Sequence, residues 1–293
     1  MTKNSAADSN NALPLGLIAG SGDLPESIIH HLHISKRQCF VVGFEGITSM
    51  PSLTKIPHIV LPISQVGAAI SALKNANVSD LILAGKVGRP NISDMQLDRT
   101  ALRLLARLSA LKSLSDDSVF RAILEFLEMQ KFNIVSVADA VPDLMAKSGI
   151  LGKHEPKKNQ AEDILRGIKV VEAMGKFDIG QSAVIENGIV LAVEGMEGTD
   201  SMIDRAGTLR NRKLAQSGVL IKLTKPEQDR RIDLPTIGIA TLERVRQAGL
   251  LGIAVEAGQT IFINKEAVIR AADQLGLFVI GVSREQADLP YCG

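Results

Sequence analysis

Between Lys225 and Gly238 the chain reads KPEQDRRIDLPTIG, which gathers Lys225, Glu227, Asp229, Arg230, Arg231 and Asp233 within nine residues. Carboxylates interleaved with guanidinium and ammonium groups suit a site for phosphate and a hard divalent cation. The carboxylates would ligate the cation, and the basic groups would offset charge on phosphate oxygens. The same composition also describes a solvated, salt-bridged loop, so the run does not establish chemistry by itself. Asp229 and Asp233 stand four apart, a spacing that puts both on one face of an extended segment.

Two more acidic clusters lie nearby in sequence. In Glu194-Gly195-Met196-Glu197-Gly198-Thr199-Asp200 the glycines could open a pocket in which Glu197 or Asp200 reaches a metal. The competing reading is a helix start, with Gly198 or Thr199 as N-cap and Asp200 complementing the helix dipole. Glu256-Ala257-Gly258 reads as the turn of a hairpin. The first half of the chain contributes Gly20-Ser21-Gly22-Asp23, between an expected strand and an expected helix, and Gly85-Lys86-Val87-Gly88-Arg89 after another strand. Glycines there allow close backbone approach, free helix amides attract anions, and Lys86 and Arg89 could balance phosphate. Pro25 stands where a dinucleotide fingerprint would have its third glycine, and neither loop matches a Walker phosphate loop. No HExxH or G-x-S-x-G occurs, which disfavours a zinc hydrolase or a serine elbow.

Short apolar runs alternating with helical patterns must position these groups. Leu15–Ala19, Gln38–Gly43, His58–Leu61, Asp80–Ala84 and Phe132–Val137 read as strands. Helices are expected over Pro25–His33, Ser64–Asn75, Gln96–Ser113, Asp117–Lys131 and Asp139–Lys147. This is the pattern of βαβ units on a parallel sheet. After a boundary near Ser148–Pro156, helices are expected at Asn159–Lys176, Thr199–Gln216, Thr241–Ala248 and Lys265–Leu275. Strands are expected at Ser182–Ile185, Ile189–Glu194, Gly218–Leu223 and Leu277–Val282. Asn187-Gly188 marks one hairpin, and Leu251–Val255 with Thr260–Ile263 is expected to form a second. The fold class is therefore α/β in two domains: a Rossmann-like parallel sheet over 15–147 and a mixed α/β domain with antiparallel hairpins over 148–293. Residues 1–14 form a polar, disordered N-terminus.

Composition narrows the function. The 293 residues are 45% hydrophobic and 22% charged with net charge +1, so no global field recruits nucleic acid or an anionic membrane. No Trp, one Tyr and eight Phe argue further against base-stacking platforms. Cys39 and Cys292 make no disulfide framework, and no apolar run approaches a bilayer span of about 20 residues. A cytoplasmic protein is expected, at most peripheral to a membrane.

The order LGLIAGSGDLP, AVIENGIVLAVEGMEGTDSM, KPEQDRRIDLPTIG, GLLGIAVEAGQTIFI and LGLFVIGV resembles the LpxI-type UDP-2,3-diacylglucosamine diphosphatases of lipid A biosynthesis, across about Leu15–Val282. The resemblance implies hydrolysis of the pyrophosphate of UDP-2,3-diacylglucosamine to UMP and 2,3-diacylglucosamine 1-phosphate (lipid X). It implies Mg²⁺ as cofactor, with Mn²⁺ as a substitute, and an N-terminal lid domain and a C-terminal catalytic domain enclosing the lipid. It puts the essential aspartate on Asp233, with Asp229 as rival, and metal ligation on Asp233, Asp200 and Glu197. Substrate contacts fall on Gly20, Ser21, Gly22, Asp23, Lys86, Gly198, Thr199, Asp200, Arg205, Lys225, Arg230, Arg231 and Thr236. Asp204 departs from the pattern, in which two successive basic residues follow EGTDSM with one intervening; Arg205 remains as the basic contact. A homodimer and peripheral contact with the inner membrane are compatible expectations. The rival functions are a non-catalytic nucleotide- or lipid-binding module and a sugar-nucleotide transferase, which would require an acceptor.

Overall fold

A computed structural model describes residues 13–88, 95–111, 116–210, 217–225, 231 and 234–284, with the side chains of 116 and 117 set aside. The expected N-terminal disorder, Arg89, Asp229, Arg230, Asp233 and Cys292 lie outside the described residues. The chain divides into two compact units, Met1–Val141 and Pro142–Gly293.

The first unit is built on β1 (Leu15–Ala19), β2 (Cys39–Phe44), β3 (His58–Leu61), β4 (Asp80–Ala84) and β5 (Asn133–Ile134). All pair in parallel, in the order β3-β2-β1-β4-β5. The helices are α1 (Asp23–Ile34), α2 (Val66–Asn75), α3 (Arg99–Ser109), α4 (Asp116–Met129) and α5 (Val137–Ala140). Ile28, Ile29 and Leu32 of α1 and Ala69, Ile70 and Leu73 of α2 are buried, the helical spacing that covers a sheet. Cys39 is buried, and burial pushes its thiol pKa up. The expected strand Phe132–Val137 shortens to β5, because Ser136 caps α5 by accepting from Asp139 N at 3.0 Å. The helix expected over Asp139–Lys147 is likewise absent: Pro142 cannot continue α5, and one 3₁₀ turn, Pro142–Leu144, follows.

The second unit holds β6 (Gly149–Ile150), α6 (Lys158–Gly175), β7 (Ser182–Glu186), β8 (Ile189–Val193), α7 (Gly198–Leu209) and β9 (Val219–Lys222). Then come β10 (Thr236–Ile237), α8 (Ile239–Gln247), β11 (Gly252–Glu256), β12 (Ile261–Phe262), α9 (Lys265–Leu275) and β13 (Phe278–Val282). Its main sheet runs β6-β13-β11-β9-β7-β8. At the centre β13, β11 and β9 are parallel, while β6 and β7 pair antiparallel to their inner neighbours.

Alternation sorts the strand residues between two layers. Val184, Leu220, Ile253 and Val255 pack with Met202, Ile203, Leu242, Val245 and Val268 from α7, α8 and α9. Ala183, Ile185, Val219, Ile221 and Ala254 pack with Ile164, Ile168 and Val171 of α6 on the other face. A Cβ on Gly167 would lie 2.5 Å from the Ile221 side chain, so α6 seats closely on β9.

The Asn187-Gly188 hairpin forms as expected. Asn187 and Gly188 have φ of 50° and 76°, a backbone that this pair tolerates and most residues resist. The second expected hairpin does not form. β11 has parallel neighbours on both sides, so no edge is left for β12, which pairs in parallel with β10 instead.

Buried Asp163 of α6 clamps the Asn187-Gly188 turn, accepting from Asn187 N at 2.9 Å and Gly188 N at 2.6 Å. Burial raises its pKa against those two amides. Asp163→Ala leaves both donors without this acceptor and is expected to cost about 1–3 kcal/mol of unfolding free energy. A urea midpoint unchanged from the parent would remove the clamp from the stability of this unit.

Candidate active site

In the first unit the strand order reverses between β1 and β4, the place where open parallel sheets bind ligands at their carboxyl ends. The two expected glycine loops meet there. Ser21 N donates to Lys86 O at 2.8 Å and Lys86 N donates back to Ser21 O at 2.9 Å. Ser21 Oγ adds a bond to Lys86 O at 3.0 Å. A Cβ on Gly20 would lie 2.6 Å from Lys86 O, and one on Gly85 would lie 2.7 Å from Ser21 O. The close approach of the two loops therefore requires both glycines. Gly22 differs: its φ is +95° and nothing crowds it. Asp23 opens α1 and is exposed, as is Lys86.

In the second unit the carboxyl ends of β9, β11 and β13 lie on one edge. Ser182, opening β7, pairs with Lys222, so the start of β7 and the end of β8 share that edge. Two of the acidic clusters, at Glu194–Asp200 and at Glu256, consequently come to one side of the sheet, together with Lys225. Buried Glu194 follows β8 and accepts from Ser182 Oγ and, at 3.1 Å, from Thr199 Oγ1. Gly180 packs so closely on the Glu194 carbonyl that a Cβ there would clash. α7 begins at Gly198 with φ +79°, and Glu197, rather than Gly198 or Thr199, occupies the N-cap position without a capping bond. Thr199 spends its hydroxyl on Glu194 instead.

Glu197 accepts from Arg205 Nη2 at 2.5 Å and from Gly195 N at 3.1 Å. The Arg205 guanidinium holds the Glu197 carboxyl below the usual carboxylate range. Asp200 lies 3.5 Å from Arg244 Nε, and the departing residue Asp204 accepts from Arg244 Nη1 at 2.7 Å. Lys225, just past β9, pairs with Asp178 at 2.7 Å. At the other end of the charged segment, Thr236 opens β10 opposite Ile261, and Ile261 N donates to Pro235 O at 2.8 Å. Arg231 is half-buried and has an interaction of its own.

Glu256, expected in a hairpin turn, and Thr224 and Arg284, which the sequence did not single out, complete this edge. Glu256 ends β11 and accepts from Thr224 N at 2.9 Å and from Arg284 Nε and Nη2, each at 2.8 Å. Burial alone would raise the Glu256 pKa, but the bonds from Arg284 and Thr224 outweigh it and hold the carboxyl below its ordinary range. Each of the three follows an apolar strand, a signal that becomes readable only once β9, β11 and β13 are known to be parallel neighbours.

Among the described residues no group of three or more His, Cys, Asp or Glu side chains could hold a metal ion. Glu197 and Asp200, both engaged by guanidinium groups, do not by themselves fit a dication. Two buried oxygens, Gln181 Oε1 and Thr260 Oγ1, lack a hydrogen-bond partner among the described residues. They lie beside the two ends of the charged segment: Leu223 N donates to Gln181 O, and Thr260 adjoins the Ile261–Pro235 bond.

Because the folded pKa of Glu256 is depressed, its stabilising contribution is present above the ordinary glutamate pKa and is lost as pH falls through the folded value. Glu256→Gln is expected to flatten the loss of thermal stability between about pH 6 and about pH 3. Parallel Tm-against-pH curves for the two proteins would refute that.

Residues 14–144 match the LpxI N-terminal domain and residues 147–280 the LpxI C-terminal domain. The chain is also 38% identical over 276 residues to the UDP-2,3-diacylglucosamine pyrophosphatase LpxI of Caulobacter vibrioides, an alignment covering 93% of this chain and 98% of that one. No helix among the described residues is long and apolar enough to cross a membrane. With both domain matches in sequence and an end-to-end relative, the chain belongs to the LpxI family.

Proposed function

We propose that this protein hydrolyses the pyrophosphate bond of UDP-2,3-diacylglucosamine, releasing UMP and lipid X. Water adds to one phosphorus, the bond from that phosphorus to the bridging oxygen breaks, and the bridging oxygen leaves with the other phosphate. The observation that carries this reading is the convergence of the acidic loops and of Lys225 on one edge of the second unit, in a chain 38% identical to a relative named for this substrate.

In this reading the reacting carboxylate is Asp233, with Asp229 as the alternative. It accepts the proton of the attacking water, general-base work suited to a carboxylate beside phosphate. Lys225, Arg205, Arg230 and Arg231 offset charge on the diphosphate, and Gly198, Thr199 and Thr236 line its approach. Mg²⁺, or Mn²⁺ in its place, held through Asp233, would polarise a phosphoryl oxygen. Glu197 and Asp200 are secondary ligands at most, since each already faces a guanidinium group. In the first unit Gly22, Asp23 and Lys86 are the substrate contacts that the geometry favours; Gly20 and Ser21 serve to pin the loop that holds them. The protein works in the cytoplasm, peripheral to the inner membrane that carries its lipid substrate, and pairs as a homodimer.

The test is UMP release from UDP-2,3-diacylglucosamine with Mg²⁺ and with EDTA. Turnover is expected with Mg²⁺ and is expected to vanish with EDTA. Asp233→Ala should keep its fold and its substrate affinity while turnover falls about 10²–10⁴-fold. Tight uptake of the substrate without cleavage under any divalent metal would instead make the protein a binding module. Full activity in Asp233→Ala would move the essential role to Asp229.

A further inference from the structure

Helix α6 seats Ile164, Ile168 and Val171 on the sheet and turns its other face outward. From the second turn on, its exposed positions are Glu162, Arg166, Lys169 and Ala173, and Lys176 and Phe177 continue the same stripe past the helix end. From Arg166 onward the exposed charges of the stripe are all basic. Glu172, the carboxylate in this part of the helix, is half-buried and lies in the field of Arg284.

The stripe ends in an apolar tip. Phe177 N and Ile179 N both donate to Met174 O, and Asp178 N donates to Gly175 O. Asp178 takes the left-handed backbone, with φ +53°, that closes a helix. Phe177 is left 79% exposed and Ile179 51% exposed. Gly180 follows at once and packs against the Glu194 carbonyl, which brings the loop of the fully exposed Met196 beside them. The acids of the tip each face a cation: Asp178 pairs with Lys225 at 2.7 Å, and Glu197 pairs with Arg205.

We propose that this stripe and tip are a docking surface for an anionic lipid bilayer. Arg166, Lys169 and Lys176 lie over the headgroups, and Phe177, Ile179 and Met196 enter the interface. The proposal rests on the function proposed above, in which the substrate is a diacylated lipid. Single apolar residues on a surface need no explanation, but three gathered on one protruding tip do. Basic charge along a helix face, ending in protruding apolar side chains, complements anionic headgroups over an acyl layer. The net charge of +1 averages over the whole chain and does not express this local asymmetry. The Asp178–Lys225 pair puts the tip on the same edge as Lys225, so docking brings that edge to the layer that holds the substrate.

The chain has no Trp, so Phe177→Trp in the full chain supplies a single fluorophore at the tip. Ile189→Trp is the control, at the opposite edge of the sheet beside Glu186. Each is titrated with vesicles of phosphatidylglycerol and phosphatidylethanolamine in equal parts, and with vesicles of phosphatidylcholine alone. Trp at 177 is expected to emit as in water without lipid. With the anionic vesicles it should shift to the blue and be quenched by brominated acyl chains, with little response to phosphatidylcholine. Trp at 189 should respond to neither. Arg166→Gln with Lys169→Gln, added to Phe177→Trp, should weaken partitioning about 30-fold. In a flotation assay Phe177→Ser should weaken it about tenfold.

Blue emission before lipid is added overturns the proposal, because the tip is then covered by protein, whether the first unit or a second copy. So does an unchanged spectrum with anionic vesicles, an equal response at 189, or undiminished partitioning of the Arg166–Lys169 double variant. These measurements need no turnover, so a parent that releases no UMP while Trp at 177 responds counts against the proposed reaction alone. Should Phe177→Trp fail to fold, Ile179→Trp reports on the same tip.

Discussion

Parallel pairing of β9, β11 and β13 is the constraint on which the second unit depends. Each is buried along its whole length on both faces, between α6 and the layer of α7, α8 and α9. A strand so placed has no solvated face, and a polar side chain within it would lose water without gaining a partner. The polar residues therefore fall where the strands stop. Because the three run the same way, they stop on the same edge, and Thr224, Glu256 and Arg284 are brought together although 28 to 60 residues separate them in sequence.

The carboxylates on that edge are stabilised in different ways, and the differences bear on which remain available for chemistry. Glu256 is held ionised by the half-buried Arg284 guanidinium and by the Thr224 amide. Glu194 receives two hydroxyls. Glu197 shares the surface with Arg205 and is shielded by solvent as well, so its ion pair is worth little in stability. Each of these groups has both carboxylate oxygens engaged by the protein. A cation or a water awaiting activation requires carboxylate oxygens that are not so engaged. That requirement points away from these three.

Much of this was legible in the residue order, for definite reasons. β1, β2, β3 and β4 are short apolar runs bounded by polar residues, and Asn187-Gly188 demands the positive φ values that it adopts. Glu256-Ala257-Gly258 misled because a turn sequence looks the same whether its strands pair with each other or with third parties. What decides is the number of neighbours on β11, a long-range property that local pattern does not encode. Arg284 was invisible for a related reason: it lies at the end of the last strand, outside any motif, and acquires meaning only from the strands beside it. The charged segment stands out because its acidic and basic side chains are contiguous, but it lies largely outside the described residues.

The glycines of the first unit show how one motif can serve packing between loops as well as the ligand contact expected of it. Gly20 and Gly85 sit at the reversal of strand order, where a ligand is expected, and their lack of a side chain invites the inference of a backbone pressed against phosphate. Yet the backbone each one admits is the other's loop, 2.6–2.7 Å from where a Cβ would stand. Their bonds close the gap between β1 and β4, so a ligand at this position must lie over the paired loops rather than between them. That places the burden of contact on what projects beyond the pair: the open backbone at Gly22, the exposed Asp23 and the Lys86 ammonium. One carboxylate and one cation therefore stand exposed beside that backbone.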